Sequence, residues 1–237
     1  MKLIIGTKRY STWSMRPWVF MRTFEIPFTE EIIPFEVEEG TRRHTAKTDE
    51  LMQAASPNGR VPVLVLDSGD RLNESLAICE YLSEVFLSGK GWPARAELRA
   101  KARAVTLEMA TGFTALRRLL PMSIGSQVTD FAALPNPAVT DVDRIRSIIS
   151  ECRTNSHGSF LFGDFSIADA FYAPVVMRFQ TYKVPVPPII ADYMEAIKAL
   201  PAVTEWCADA IADQTEIGAI TDIVTSYPTE IAAACKI

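Results

Sequence analysis

The chain has 237 residues, 48% hydrophobic and 22% charged with the charges scattered along it, which is enough apolar content for a packed core and argues against disorder. A formal net charge of -5, a pI near 5.2 and no Lys/Arg-rich block give no electrostatic footprint for nucleic acid. No apolar run approaches the ~20 residues of a membrane span, and Lys8, Arg9 and Ser11 interrupt the N-terminus too early for a signal peptide, so a cytoplasmic protein is expected.

Leu3 to Ile5 is a short apolar run stopped by Gly6 and predicts a buried strand. A polar stretch to Trp13 then leads into a helix over residues 14–25, with Pro17 expected in its first turn, where a missing N–H removes no helical hydrogen bond. Residues 28–33 alternate like a half-buried strand, and residues 45–55 predict an irregular segment or a short helix. Ser56 to Arg60 is a concentrated turn signal; residues 61–67 predict a buried strand and residues 71–73 a short one, joined by a tight reversal as a hairpin. From Glu74 onward, Leu76, Cys79, Leu82 and Phe86 recur at spacings of three and four, the mark of an amphipathic helix.

The order is therefore β-α-β, a linking helix, then β-β-α. Leu87 to Ala94, with two glycines and a proline, predicts a domain boundary, and beyond it helical period fills residues 95–121, 138–156, 167–181, 189–199 and 202–213. An α/β domain over residues 1–86 and an all-helical domain over residues 95–237 are expected.

Cys79, Cys152, Cys207 and Cys235 are widely spaced, lack a C-x-x-C and sit in apolar helical patterns, so reduced and mostly buried thiols are expected. His44 and His157 lie far apart with no third ligand type at a recognisable offset, and no metal site is expected. Val61-Pro62 opens a strand where proline cannot join the ladder, which implies an edge position or a special geometry and allows a cis bond.

Asn58-Gly-Arg-Val-Pro-Val-Leu, the hairpin, and Asn73-Glu-Ser-Leu-Ala-Ile at a helix start together resemble the glutathione-site signature of the glutathione transferase family. Gly163-Asp-Phe-Ser-Ile-Ala-Asp-Ala is similar to the capping-box motif that opens that family's central buried helix. The resemblance covers nearly the whole chain and implies a thioredoxin-like first domain, with glutathione as co-substrate, no metal, and a homodimer as partner arrangement.

Each motif also reads physically. Val61, before Pro62, would present its backbone N–H and C=O to an extended peptide, fixing the cysteinyl residue of glutathione as an added strand. Glu74 and Ser75 open a helix whose positive end and free N–H groups favour the γ-glutamyl carboxylate, the Ser75 hydroxyl adding a donor and Glu74 facing the ammonium. Arg60 could pair with the glycyl carboxylate, against its alternative as a solvated turn residue.

The segment Ser11-Thr-Trp-Ser-Met-Arg resembles the S-x-x-S-x-R stretch of serine-type transferases such as the zeta and tau classes, and so implies Ser11 as the catalytic hydroxyl. Donation to sulfur stabilises thiolate over thiol, and a helix N-terminus acts in the same direction. Tyr10, Thr12 and Ser14 are the competing hydroxyls, Ser14 being expected as the cap of the first helix. No cysteine lies near Ser11, which disfavours disulfide-reductase chemistry, and Pro17 and Trp18 depart from the residues common in those classes. Ser166 and Asp169 are expected to form a capping box, with Phe165 as a staple toward Ala170.

The activity implied is conjugation of glutathione to a small, largely apolar electrophile, the detoxification chemistry of the family. Glutathione-dependent isomerisation and a non-catalytic scaffold are the alternatives. The electrophile is expected between the domains, near Trp13 and the helical segment Leu107 to Met122.

Overall fold

The computed structural model describes residues 1–131, 134 and 136–227; Cys235 lies outside the described residues. The first part of the chain runs β1 (Lys2–Gly6), α1 (Thr12–Thr23), β2 (Thr29–Ile33), α2 (Ala46–Ala55), β3 (Val63–Val65), β4 (Arg71–Asn73) and α3 (Ser75–Leu87). The second is helical: α4 (Ala96–Thr111), α5 (Thr114–Leu119), α6 (Asn136–Thr154), α7 (Ile167–Thr181), α8 (Pro188–Lys198), α9 (Pro201–Ala212) and α10 (Gly218–Thr225). No helix among the described residues is long and apolar enough to cross a membrane.

The sheet has the order β2-β1-β3-β4. β1 and β2 are parallel, with Lys2 opposite Thr29 and Gly6 opposite Ile33, so a crossover must join them and α1 supplies it. β3 runs antiparallel to both β1 and β4, with Ile4 opposite Val63 and Leu64 opposite Leu72.

Helix α1 is the keystone of the molecule. It packs against α3, α7 and α9, and its residues Met15 through Met21 are all buried. Trp18 meets Trp206 of α9 edge to face with ring centroids 5.2 Å apart. Beside them the buried Lys8 ammonium pairs with Glu30 at 3.0 Å and with Asp209 at 2.6 Å, while the Trp206 indole N–H donates to the Lys8 carbonyl at 3.1 Å.

Four expectations need correction. The first helix begins at Thr12, so Pro17 sits well inside it instead of in its first turn. Proline there leaves the Trp13 carbonyl without its helical donor, and the Ser75 hydroxyl of α3 takes that place, donating to Trp13 O at 2.8 Å. For the same reason Ser14 is not the cap: it lies within the helix, and Ser11 occupies the N-cap position.

The strand expected over residues 61–67 pairs only over Val63–Val65. The single helix expected over residues 95–121 breaks at Gly112 and Phe113, where Phe113 takes a positive φ of 57°. Arg117 stabilises the break by donating to the Gly112 carbonyl at 3.0 Å and to the Met109 carbonyl, satisfying groups that a helix end leaves free. Helix α10, which no periodicity announced, is held by burial of Ile220 and Val224 and by the bond from the Ile217 N–H to the Tyr10 hydroxyl at 3.1 Å.

The capping box is present. Asp169 accepts from the Ser166 N–H and hydroxyl, both at 2.9 Å, and also from the Leu161 N–H at 2.9 Å. Phe165 packs against Phe24 at a tilt and against Phe160 edge to face, with ring centroids 6.0 and 5.5 Å away. Cys79, Cys152 and Cys207 are free thiols, and burial pushes Cys152 and Cys207 up to about 11 and Cys79 higher still, so none is poised to react.

Candidate active site

The loop from β1 to α1 turns on itself, the N–H groups of Tyr10 and Ser11 both donating to the Thr7 carbonyl. This places Ser11 at the positive end of α1, buried to 6% exposure, with its Oγ 2.8 Å from Ser14 Oγ. Thr12 is buried beside it. Tyr10 turns its hydroxyl to α10 by way of Ile217, so that hydroxyl is already an acceptor there.

Ser11 opens on a cleft of about 480 Å³ whose walls include Tyr10, Trp13, Phe35, His44, Arg60 and Val61. A smaller recess of about 110 Å³ shares Trp13, Arg60 and Val61 and is completed by Asn58, Pro62, Glu74 and Ser75. All six residues singled out from the motifs, Ser11, Arg60, Val61, Pro62, Glu74 and Ser75, thus line two adjoining hollows in one region.

The Val61–Pro62 bond is cis. Val61 falls outside the β3 ladder, so its backbone polar groups are not engaged by β1 or β4. Glu74 is the N-cap of α3 and adopts φ 66°, ψ 119°, a conformation that L side chains rarely take and that costs on the order of 1–3 kcal/mol. Asn58 braces it: its amide nitrogen lies 3.5 Å from the Glu74 carboxylate, and its oxygen accepts from the Arg60 N–H at 3.1 Å. The Ser75 hydroxyl is committed to Trp13 O, which leaves the helix N-terminus itself, with its unpaired backbone N–H groups, as the anion-favouring feature of α3.

Trp13 is 36% exposed and, with Arg60 and Val61, lines both hollows. Two cations lie against its ring: the Arg16 guanidinium 3.9 Å and the Arg117 guanidinium 4.9 Å from the centroid. Arg16 is wholly buried with no hydrogen bond to its three nitrogens, and burial, reinforced by repulsion from Arg117 and Arg178, holds its pKa well below the ordinary arginine value. Arg117 comes from α5, so one side chain of the segment beyond Leu107 lies against the Trp13 ring.

Sequence reasoning missed Phe35 and His44. Their rings stack with centroids 4.8 Å apart, and His44 Nδ1 lies 3.7 Å from the Asp49 carboxylate. They come from the irregular segment between β2 and α2, where no periodic signal exists; that His44 is one of only two histidines was the one available hint.

Comparison with known proteins bears on this geometry. Residues 10–85 match the sequence model of the glutathione S-transferase N-terminal domain, and residues 108–209 that of the glutathione S-transferase C-terminal domain. The chain belongs to the glutathione S-transferase family. It is 27% identical over 176 residues to maleylacetoacetate isomerase of Rattus norvegicus, covering 73% of this chain and 77% of that protein.

Among solved structures it resembles a glutathione transferase homolog from Burkholderia, strain BGR1, with bound glutathione: 25% identity, TM-score 0.65, 90% of this chain and 98% of that one. It shares its fold with a maleyl pyruvate isomerase described as a bacterial glutathione S-transferase of the zeta class: 20% identity, TM-score 0.64, 91% of this chain and 100% of that one.

Proposed function

We propose that the chain is a glutathione transferase that holds the tripeptide as a thiolate in the Ser11 cleft and directs it at the electrophilic carbon of a small, largely apolar substrate, giving a thioether. The observation that carries this reading is the position of Ser11: a buried hydroxyl at the N-terminus of α1 that lines the larger hollow together with Val61, which also lines the adjoining recess bordered by Glu74.

In this reading the cysteinyl backbone of glutathione pairs with Val61 as an added strand. The γ-glutamyl carboxylate sits at the N-terminus of α3, contacted by the Ser75 end of the helix, and its ammonium faces Glu74. Arg60, which lines both hollows, meets the glycyl carboxylate. A free thiol ionises near pH 8.5, and a depression of one unit needs only about 1.4 kcal/mol of preference for the thiolate. One hydrogen bond from Ser11 together with the α1 dipole is of that size. Holding the two reactants in line supplies the remaining acceleration.

The assay is conjugation of glutathione to an aryl halide by the purified protein. Ser11→Ala is expected to lower kcat/KM by roughly 10-fold or more, the loss of one hydrogen bond to a charged group; undiminished activity removes Ser11 from the mechanism.

A second reading, glutathione-dependent isomerisation, is favoured by the similarity to the rat maleylacetoacetate isomerase. There the thiol adds to a conjugated double bond and later departs. A maleyl-type substrate separates the two, because an isomerase returns free glutathione at every turnover whereas conjugation consumes it. A scaffold without catalysis is excluded if calorimetry detects glutathione binding together with turnover of either kind.

The working unit in this proposal is a cytoplasmic homodimer of two-domain subunits, with the boundary near Leu87 to Ala94. Exposed apolar side chains on α3, Val85 and Phe86, and on α4, Leu107, supply a surface for a second copy. Sedimentation at micromolar concentration tests it.

A further inference from the structure

Gly6 lies past the end of the β3 ladder, which on the β1 side stops at the Ile4–Val63 pair, so its N–H is free to look elsewhere. It donates to Ser14 Oγ at 3.1 Å, and Ser14 is fully buried. The same oxygen receives the Ser11 hydroxyl at 2.8 Å. Among the described residues these are the two hydrogen bonds of Ser14 Oγ, and the bond back to the preceding helical turn that a serine within a helix often makes is absent.

A hydroxyl has one proton and two acceptor positions, and it rotates about its Cβ–Oγ bond. With Ser11 donating to Ser14, no proton of Ser11 is left for a thiolate. With the direction reversed, Ser14 donates to Ser11 Oγ and the Ser11 proton is released toward the cleft.

We propose, resting on the assignment of Ser11 as the thiolate donor, that Ser14 is a positioning residue for the reaction: glutathione binding reverses the Ser11–Ser14 hydrogen bond and completes a directed chain from the Gly6 N–H through Ser14 and Ser11 to sulfur. Each hydroxyl keeps its own proton, the thiol proton leaves to solvent, and no covalent bond changes. The backbone N–H is a donor that cannot turn around, so it fixes the sense of the chain; in a buried environment each bond polarises the next and makes Ser11 a stronger donor.

The anchor is itself rigid. Gly6 pairs with Ile33 across the parallel ladder, and a side chain there would meet the Phe35 ring at 2.1 Å.

The test follows the ultraviolet absorbance of the bound thiolate against pH in the wild type, Ser11→Ala, Ser14→Ala and Ser14→Cys, with glutathione affinity measured by calorimetry. Ser14→Ala is expected to keep the dissociation constant within about twofold while the titration midpoint rises by about half a pH unit, roughly a threefold change in the thiolate-to-thiol ratio. Ser14→Cys, with a weak S–H donor in place of the hydroxyl, falls between.

A residue that only packed would move affinity or stability and leave the midpoint alone. An unchanged midpoint in Ser14→Ala, alongside a raised one in Ser11→Ala, overturns the relay and leaves Ser11 in place. If Ser11→Ala also leaves it unchanged, the assignment of Ser11 fails and the role of Ser14 goes with it. Should Ser14→Ala not fold, the cysteine variant decides on the same midpoint.

Discussion

Glu74 holds the least comfortable backbone of the cleft. Its φ of 66° would suit glycine, yet the carboxylate it carries is the group proposed to face the ammonium of the tripeptide. The two demands separate in one variant. Glu74→Gly is expected to raise the urea midpoint or leave it unchanged, because the strain disappears, while weakening glutathione binding by about 10-fold or more through the lost charge. Loss of stability together with loss of binding would show instead that the carboxylate serves the fold through Asn58. The same contrast explains why Glu74 was readable from its motif but its conformation was not: a glutamate, unlike glycine or asparagine, does not advertise a positive φ.

Among the elements, the start of α7 couples structure to pH. Burial of Asp169 outweighs the hydrogen bonds it accepts and pushes its carboxyl up to about 6. The unfolded chain loses that proton near pH 4 while the native state still holds it, so the contribution of this group is fully present below about pH 4 and is lost as pH rises through 6. Asp169→Ala strands two backbone N–H groups and is expected to cost on the order of 3 kcal/mol, more at pH 4 than at pH 7. Urea denaturation of both proteins at the two pH values checks it; a larger cost at pH 7 would mean that the hydrogen bonds, and not burial, set the titration.

Elements were legible where period or punctuation carried them. The spacing of Leu76, Cys79 and Leu82 announced α3, and Ser166 with Asp169 announced α7, because an amphipathic stripe and a capping box are local facts. The break at Gly112 was hidden because what stabilises it is Arg117, reaching back to carbonyls that the sequence does not mark as free. Likewise α10 depends on Tyr10, some two hundred residues away along the chain. The start of α1 was misplaced because Pro17 was read by its usual position, when its missing N–H is compensated by a hydroxyl from another helix.

At the scale of the whole molecule, the two parts are joined by more than apolar area. Lys8 reaches from the first part to Asp209 of α9, and Trp18 and Trp206 meet beneath it. This seam was invisible in the sequence because neither partner lies near the other or in a motif. The cleft was legible in the opposite way: Ser11, Val61 and Glu74 belong to short local patterns, whereas Phe35 and His44 reach it from a segment with no pattern at all.

The bond from Ser75 to Trp13 carries a consequence for how this protein can drift over generations. Restoring an N–H at position 17, as Pro17→Ala does, creates a second claimant for the Trp13 carbonyl; deleting the hydroxyl, as Ser75→Ala does, leaves that carbonyl with none. The two changes together should therefore cost less than their separate costs summed, by on the order of 1 kcal/mol in a double-mutant cycle read from denaturation midpoints. Strict additivity would mean the two positions are free to vary alone; coupling would mean that descendants which abandon the proline are also released from the serine.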